Sequence, residues 1–293
     1  MTAAPPRVFD RALLDLRLAR ALRAGFANFL LARAAEDLAD RLSVVTRRFD
    51  AMLDLGTPTP LVARMLAAAK PARLIRATTI PEAADSDWET VPLADERLPF
   101  APESLDLVVS ALALQFVNDL PGALAQIRRA LKPDGLFLAC LIGGRSLHEL
   151  RAAITEAELE IRGGASPRVA PFADVRDMGG LLQRAGFALP VADVDTLTLR
   201  YDHFFALARD LRAMGAGNAL VARDPRPLTR AIALRAAEIY AARFADPDGR
   251  ARATIDVIWL SGWAPHESQQ KPLKPGSAQA RLADALGARE DKL

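Results

Sequence analysis

The sequence predicts an α/β fold: a mostly parallel sheet with helices on both faces, preceded by an N-terminal helix and followed by C-terminal helical additions. Three observations carry this. Near-continuous apolar runs such as Leu105–Ser110 and Gly135–Leu141 have the composition of strands covered on both faces. They alternate with stretches of helical spacing, the order that βαβ units produce. The chain has 293 residues, 51% hydrophobic and 25% charged, enough for one large domain with a sizeable core and unlike a disordered or fibrous protein.

Each element follows from local pattern. From Ala12 to Leu42, Leu14, Leu18, Leu22, Phe26, Leu30 and Leu31 recur at helix spacing, which predicts a helical segment over 1–45. Over 46–145 strands and helices alternate. Ala51–Leu55 reads as a strand, Leu61–Ala69 as a helix after Pro60, and Arg73–Thr78 and Trp88–Leu93 as the second and third strands. Leu105–Ser110 follows as a fourth strand. Leu120–Leu131 is helical and closes at Lys132-Pro133-Asp134-Gly135, a helix breaker and a permissive glycine, before Gly135–Leu141. The character changes after Gly143-Gly144. Over 146–273 the pattern predicts helices at Ser146–Arg162, Asp174–Ala185, Asp202–Met214 and Arg226–Phe244, and a strand at Thr196–Tyr201. A last strand, Ala253–Gly262, is expected to pair antiparallel with the sheet edge. Residues 274–293, rich in Pro, Gly, Ser, Ala and charge, read as a loose tail.

Composition narrows the function. Lys+Arg 38 against Asp+Glu 36 leaves +2, so no nucleic-acid-binding field is expected. The single cysteine, Cys140, sits in an apolar run, which excludes an internal disulfide and reads as a buried, inert thiol. No stretch reaches the roughly 18 apolar residues of a membrane span, and the start lacks a signal core; a cytoplasmic protein, not integral to a membrane, is the expectation. His148, His203 and His266 lie in separate segments without metal-ligand spacing, so no metal site is expected.

Ligands of open α/β sheets sit beyond the carboxyl ends of the strands. There the chain has Asp54-Leu55-Gly56, the acids Asp95 and Glu96, Ser110, and Leu131-Lys132-Pro133-Asp134-Gly135. In this order they resemble the Rossmann-like class I methyltransferase fold, which binds S-adenosylmethionine. The resemblance narrows through Val8-Phe9-Asp10-Arg11, Val117-Asn118-Asp119-Leu120-Pro121, Gly143-Gly144, Ser166-Pro167, Arg184-Ala185-Gly186-Phe187 and Gly262-Trp263 with His266-Glu267-Ser268-Gln269. These are similar to the assembly-factor family of respiratory complex I, implicated in hydroxylating an arginine of a complex I subunit, and more distantly to malonyl-carrier-protein methyltransferases. The similarity runs from about Val8 to Ser277. It implies S-adenosylmethionine as cofactor, held by Asp54, Gly56, Thr78, Asp95, Glu96 and Ser110, with Asp95 on the adenine amino group. It implies a complex I subunit as partner and peripheral attachment to the inner membrane through it.

Two positions depart from the pattern. Pro58 stands where a second glycine is expected, placing a ring and removing an N–H donor where backbone should face the cofactor. Thr78 stands where a ribose-binding acid is expected after the second strand, with Glu82 as a candidate substitute one turn later. Asn118, Asp119, His266 and Glu267 are the candidate catalytic or substrate-side residues; Asp119 is equally a helix N-cap, and His266 with Glu267 equally a structural clamp. Two functions remain open: an enzyme that hydroxylates or methylates a complex I subunit, and a catalytically silent assembly scaffold with a degenerate pocket.

Overall fold

The computed structural model describes residues 7–80, 87–94 and 96–270. The expected tail, Glu82 and Asp95 lie outside the described residues. The element order is α1 (Arg11–Ala24), α2 (Phe29–Ser43), β1 (Ala51–Leu55), α3 (Leu61–Ala67), β2 (Arg73–Thr78), β3 (Glu89–Pro92), β4 (Leu105–Ala111), α4 (Leu120–Ala130), β5 (Leu131–Gly143), α5 (His148–Arg162), α6 (Val175–Arg184), β6 (Ala188–Tyr201), α7 (Phe204–Ala213), α8 (Arg230–Phe244) and β7 (Ala251–Trp263). The strands form one sheet in the order β3-β2-β1-β4-β5-β7-β6. β1 to β5 are parallel, and β7 runs antiparallel to both β5 and β6.

The sheet is covered on both faces because its strands alternate between two cores. Met52, Leu107 and Val109 pack toward α2, α5 and α8, in a cluster with Leu31, Leu38, Ile154 and Ile239. Leu53, Val108 and Phe137 pack on the other face against Leu124 and Ile127 of α4 and Met178 and Leu182 of α6. Strand residues of period two thus feed opposite faces, and the runs read as continuously apolar for that reason.

The structure corrects three expectations. The N-terminal segment is two helices. Gly25 adopts φ 92°, its N–H reaching Leu22 O, and ends α1 as a left-handed cap; Ala27 N then donates to Ala213 O, anchoring the break on α7. The last strand, β7, pairs antiparallel as expected but lies inside the sheet, between β5 and β6. The edge is β6, which begins eight residues before the expected Thr196. Its half-exposed pattern, with Pro190, Asp193 and Asp195 along it, hides the strand signal, since an edge strand needs no apolar continuity. Finally, Lys132–Gly135 is no separate turn: α4 stops at Ala130 and these residues already belong to β5, with Asp134 at φ 60°.

Among the described residues no helix is long and apolar enough to cross a membrane.

Candidate cofactor site

The strand order reverses between β1 and β4, so the crevice beyond their carboxyl ends is the topological switch point where such sheets bind ligands. A cavity of about 230 Å³ opens there. Gly56, Pro58, Thr78 and Glu96 line it on the strand side, and Leu199, Tyr201, Leu207 and Met214 line its far wall.

Gly56 makes the turn out of β1. It sits at φ 75°, its N–H donates to Ala77 O at 2.8 Å, and a Cβ there would lie 3.0 Å from the Ala113 Cβ. Only glycine fits this backbone. Ser110, fully buried in β4, donates from its hydroxyl to Leu55 O at 2.8 Å and braces the same turn from below. Pro58 offers the cavity a ring and no donor.

Asp54 turns away from the cavity. It is 1% exposed and pairs with Arg76, its in-register neighbour on β2, Nε to Oδ2 at 3.2 Å. Arg76, also 1% exposed, donates a second bond from Nη2 to Thr57 O at 3.2 Å. Burial pushes the Asp54 carboxyl up to about 6, against the lowering pull of the Thr57 hydroxyl and the Arg76 guanidinium. The pair ties β1, β2 and the 57–60 loop together under the site.

At the end of β2 the Thr78 hydroxyl accepts from Ile80 N at 3.1 Å, closing a local turn. The neighbouring Thr79 hydroxyl donates to Asp15 Oδ1 of α1 at 2.9 Å. Arg11 reaches the same carboxylate oxygen at 3.2 Å and Thr79 Oγ1 at 3.3 Å from Nη2, while its Nη1 donates to Phe116 O at 3.3 Å. Arg11, Asp15 and Thr79 all face the cavity.

Glu96 also borders the cavity, but its carboxylate accepts from Asn118 N at 2.8 Å, Asn118 Nδ2 at 3.2 Å and Asp119 N at 3.0 Å. Asn118 in turn clips the chain before α1: its Oδ1 accepts from Val8 N and Phe9 N, both at 2.8 Å. Asp119 caps α4, accepting from Gly122 N at 2.9 Å. These residues hold the roof over the site. His266 and Glu267 are brought nowhere near it. They follow β7, whose end pairs with the start of β5, Trp263 opposite Leu136, so they lie at the opposite end of the sheet. There the His266 Nδ1 meets Ser268 Oγ at 2.6 Å, and Gln269 Nε2 donates to Asp134 Oδ1 at 3.0 Å. His203 caps α7 by accepting from Ala206 N, and His148 meets Arg145 O and the Phe244 ring. Among the described residues no His, Cys, Asp and Glu group could hold a metal ion. Cys140 is fully buried, its thiol pushed up to about 12 by burial.

Residue-level reading of the sequence missed Arg76, Arg11, Asp15 and Thr79 as site residues. An arginine inside the strand run Arg73–Thr78 is a visible signal, because a charge there needs a partner. Nothing in the sequence joins Asp15 to Thr79.

The chain is similar to known proteins over most of its length. A methyltransferase domain model matches residues 53–139, from β1 into β5. The zebrafish (Danio rerio) protein named arginine-hydroxylase NDUFAF5, mitochondrial, is 38% identical over 263 residues, 88% of this chain and 82% of that protein. The chain belongs to the NDUFAF5 family. A malonyl-[acyl-carrier protein] O-methyltransferase of Laribacter hongkongensis is 40% identical over 181 residues, 62% of this chain and 58% of that protein, so the NDUFAF5 match extends further along both chains. Among solved structures, the YcgJ protein of Bacillus subtilis superposes with a TM-score of 0.54 at 15% identity, covering 79% of this chain and 99% of that one, a likeness of fold alone. In the NDUFAF5 family member described here, the Rossmann-like methyltransferase fold is intact.

Proposed function

We propose that this protein binds S-adenosylmethionine at the β1/β4 crevice and modifies a subunit of respiratory complex I during assembly, with arginine hydroxylation the favoured chemistry and methyl transfer the alternative. The observation that carries the reading is the open cavity at the switch point of a chain that aligns with an arginine hydroxylase over most of its length.

The adenosine half of the cofactor fits the residues present. Gly56 leaves room for close backbone approach, and Thr78, Thr79 and Asp15 offer polar groups at the end of β2. Leu93 and Leu98 give an apolar wall for a purine ring, and by resemblance Asp95 would accept from its amino group. The methionine half meets less: Pro58 has no N–H, and Asp54 is engaged with Arg76. When bound, S-adenosylmethionine would supply an activated methyl group, which serves the methyl-transfer alternative; hydroxylation would in addition need dioxygen as the source of the inserted oxygen and a two-electron reductant to take its second atom to water. The chain's own part is to exclude water, through the apolar cavity walls and the N-terminal segment clipped by Asn118, and to hold the ligand against β1 and β4. On this reading the client is a complex I subunit, and attachment to the inner membrane would run through that client.

The deficient methionine end favours a second reading, a silent scaffold that holds the client. Calorimetric titration with S-adenosylmethionine separates the two. The enzyme reading expects micromolar binding by the wild type, tightened about fivefold or more in Pro58→Gly as a donor is restored. Absence of binding to both at millimolar ligand overturns it and leaves the scaffold. Mass spectrometry of complex I subunits from cells lacking the protein then reports the chemistry, as loss of one oxygen atom or of one methyl group at an arginine.

A further inference from the structure

In sheets of this kind a carboxylate at the end of the second strand takes the ribose hydroxyls of the ligand. Here that strand ends Ala77-Thr78-Thr79, without one. The structure brings a carboxylate to the same spot from elsewhere: Asp15, one turn into α1, lies against Thr79 across the cavity mouth.

We propose that Asp15 is the ribose-binding residue of this protein, with Arg11 and Thr79 as its positioning residues. The geometry suits that role. Asp15 Oδ1 is held from two directions, by the Thr79 hydroxyl at 2.9 Å and Arg11 Nη2 at 3.2 Å, and Arg11 is itself tethered to Phe116 O. The second oxygen, Oδ2, has no hydrogen bond among the described residues, and the side chain is 32% exposed, lining the cavity beside Thr78. A fixed carboxylate with one free oxygen is an acceptor waiting for an O–H donor, and a ribose diol is the donor that an adenosyl ligand presents. Deriving the acceptor from α1 also makes the ligand part of what holds the N-terminal helix on the sheet.

The assignment rests on the adenosyl-binding reading above, and the test separates the two. Wild type, Asp15→Ala and Asp15→Asn are titrated calorimetrically with 5′-methylthioadenosine and with its 2′-deoxy and 3′-deoxy counterparts; circular dichroism melts verify that each variant is folded. The wild type is expected to prefer the riboside over at least one deoxy form by about tenfold, the value of a hydrogen bond to a charged acceptor. In Asp15→Ala the preference falls to about one, and in Asp15→Asn, which keeps the shape, by threefold or more. The ratio of riboside to deoxyriboside reads the bond itself, which a merely structural aspartate would not move. Wild-type binding with the same preference in all three proteins overturns the assignment and leaves the adenosyl reading standing; no binding of any of these ligands to the wild type overturns both.

Discussion

Replacing Arg76 by Met removes the cation that faces Asp54 inside the protein while keeping an unbranched chain of similar length. The loss has two parts. Thr57 O loses its buried donor, at about 1–3 kcal/mol. Asp54 loses its ion pair, and the size of that loss depends on pH. An unfolded aspartate titrates near 3.8 and Asp54 in the fold near 6, so the folded state holds its proton more tightly. Stability conferred at acid pH therefore declines as pH rises from about 3.8 to about 6, by about 3 kcal/mol at 1.36 kcal/mol per tenfold, and is level above. Without Arg76 the carboxyl moves further up, because burial is then opposed by less, so in the variant the decline continues past pH 6 and goes deeper. The variant is thus expected to lose about 3–5 kcal/mol relative to wild type near pH 7.5, in line with broken buried ion pairs, but only about 1–3 kcal/mol near pH 5, where both proteins carry a protonated Asp54. Urea unfolding at the two pH values measures this. A loss below about 1 kcal/mol, or one that does not shrink at the acid end, would refute the buried pair as the support of the 57–60 loop. The double variant Asp54→Asn/Arg76→Met should recover part of the loss at the higher pH, because no charge is left to bury.

Three further outcomes are expected. Gly56→Ala forces a left-handed backbone on alanine and pushes its Cβ to 3.0 Å from Ala113 Cβ, lowering stability by about 1–3 kcal/mol in thermal or urea melts; an unchanged melt would show that the turn relaxes freely. Asn118→Ala frees the backbone around Val8 and Phe9, so limited proteolysis near Phe9 should accelerate several-fold while α4, capped independently by Asp119, keeps its protection in hydrogen exchange. Cys140, fully buried with its thiol held near 12, should resist a thiol reagent at neutral pH in the folded protein and react only at the rate of unfolding; prompt labelling would show that β5 opens locally.

Much of this molecule could be read from the chain because burial on two faces writes itself into sequence. Leu105–Ala111, every residue of it buried, stands out as an apolar run, and Ala51–Leu55 and Arg73–Thr78 were legible to the residue for the same reason. Gly56 was legible because a strand that ends in Asp-Leu-Gly needs the permissive residue at its turn. The edge strand β6 was legible only in its last six residues, since one exposed side and a proline leave no two-sided pattern to find. The N-terminal break was missed although Gly25 marks it, because apolar residues continue at helix spacing on both sides.

What the sequence determined by itself, then, is the order of strands and helices, the two-faced core and the family to which the chain belongs, all of which depend on short-range periodicity and local motif. Only the tertiary structure decided which groups do which work at the site. Asp54 is drawn below the loop because parallel pairing sets it in register with Arg76. Glu96 and Asn118 turn to each other to close the roof, and Asp15 meets Thr79 across 64 positions of chain. His266 and Glu267 end up at the far end of the sheet because β7 runs antiparallel. Such placements arise from strand register and helix docking, which join distant residues through space and leave no mark in local spacing.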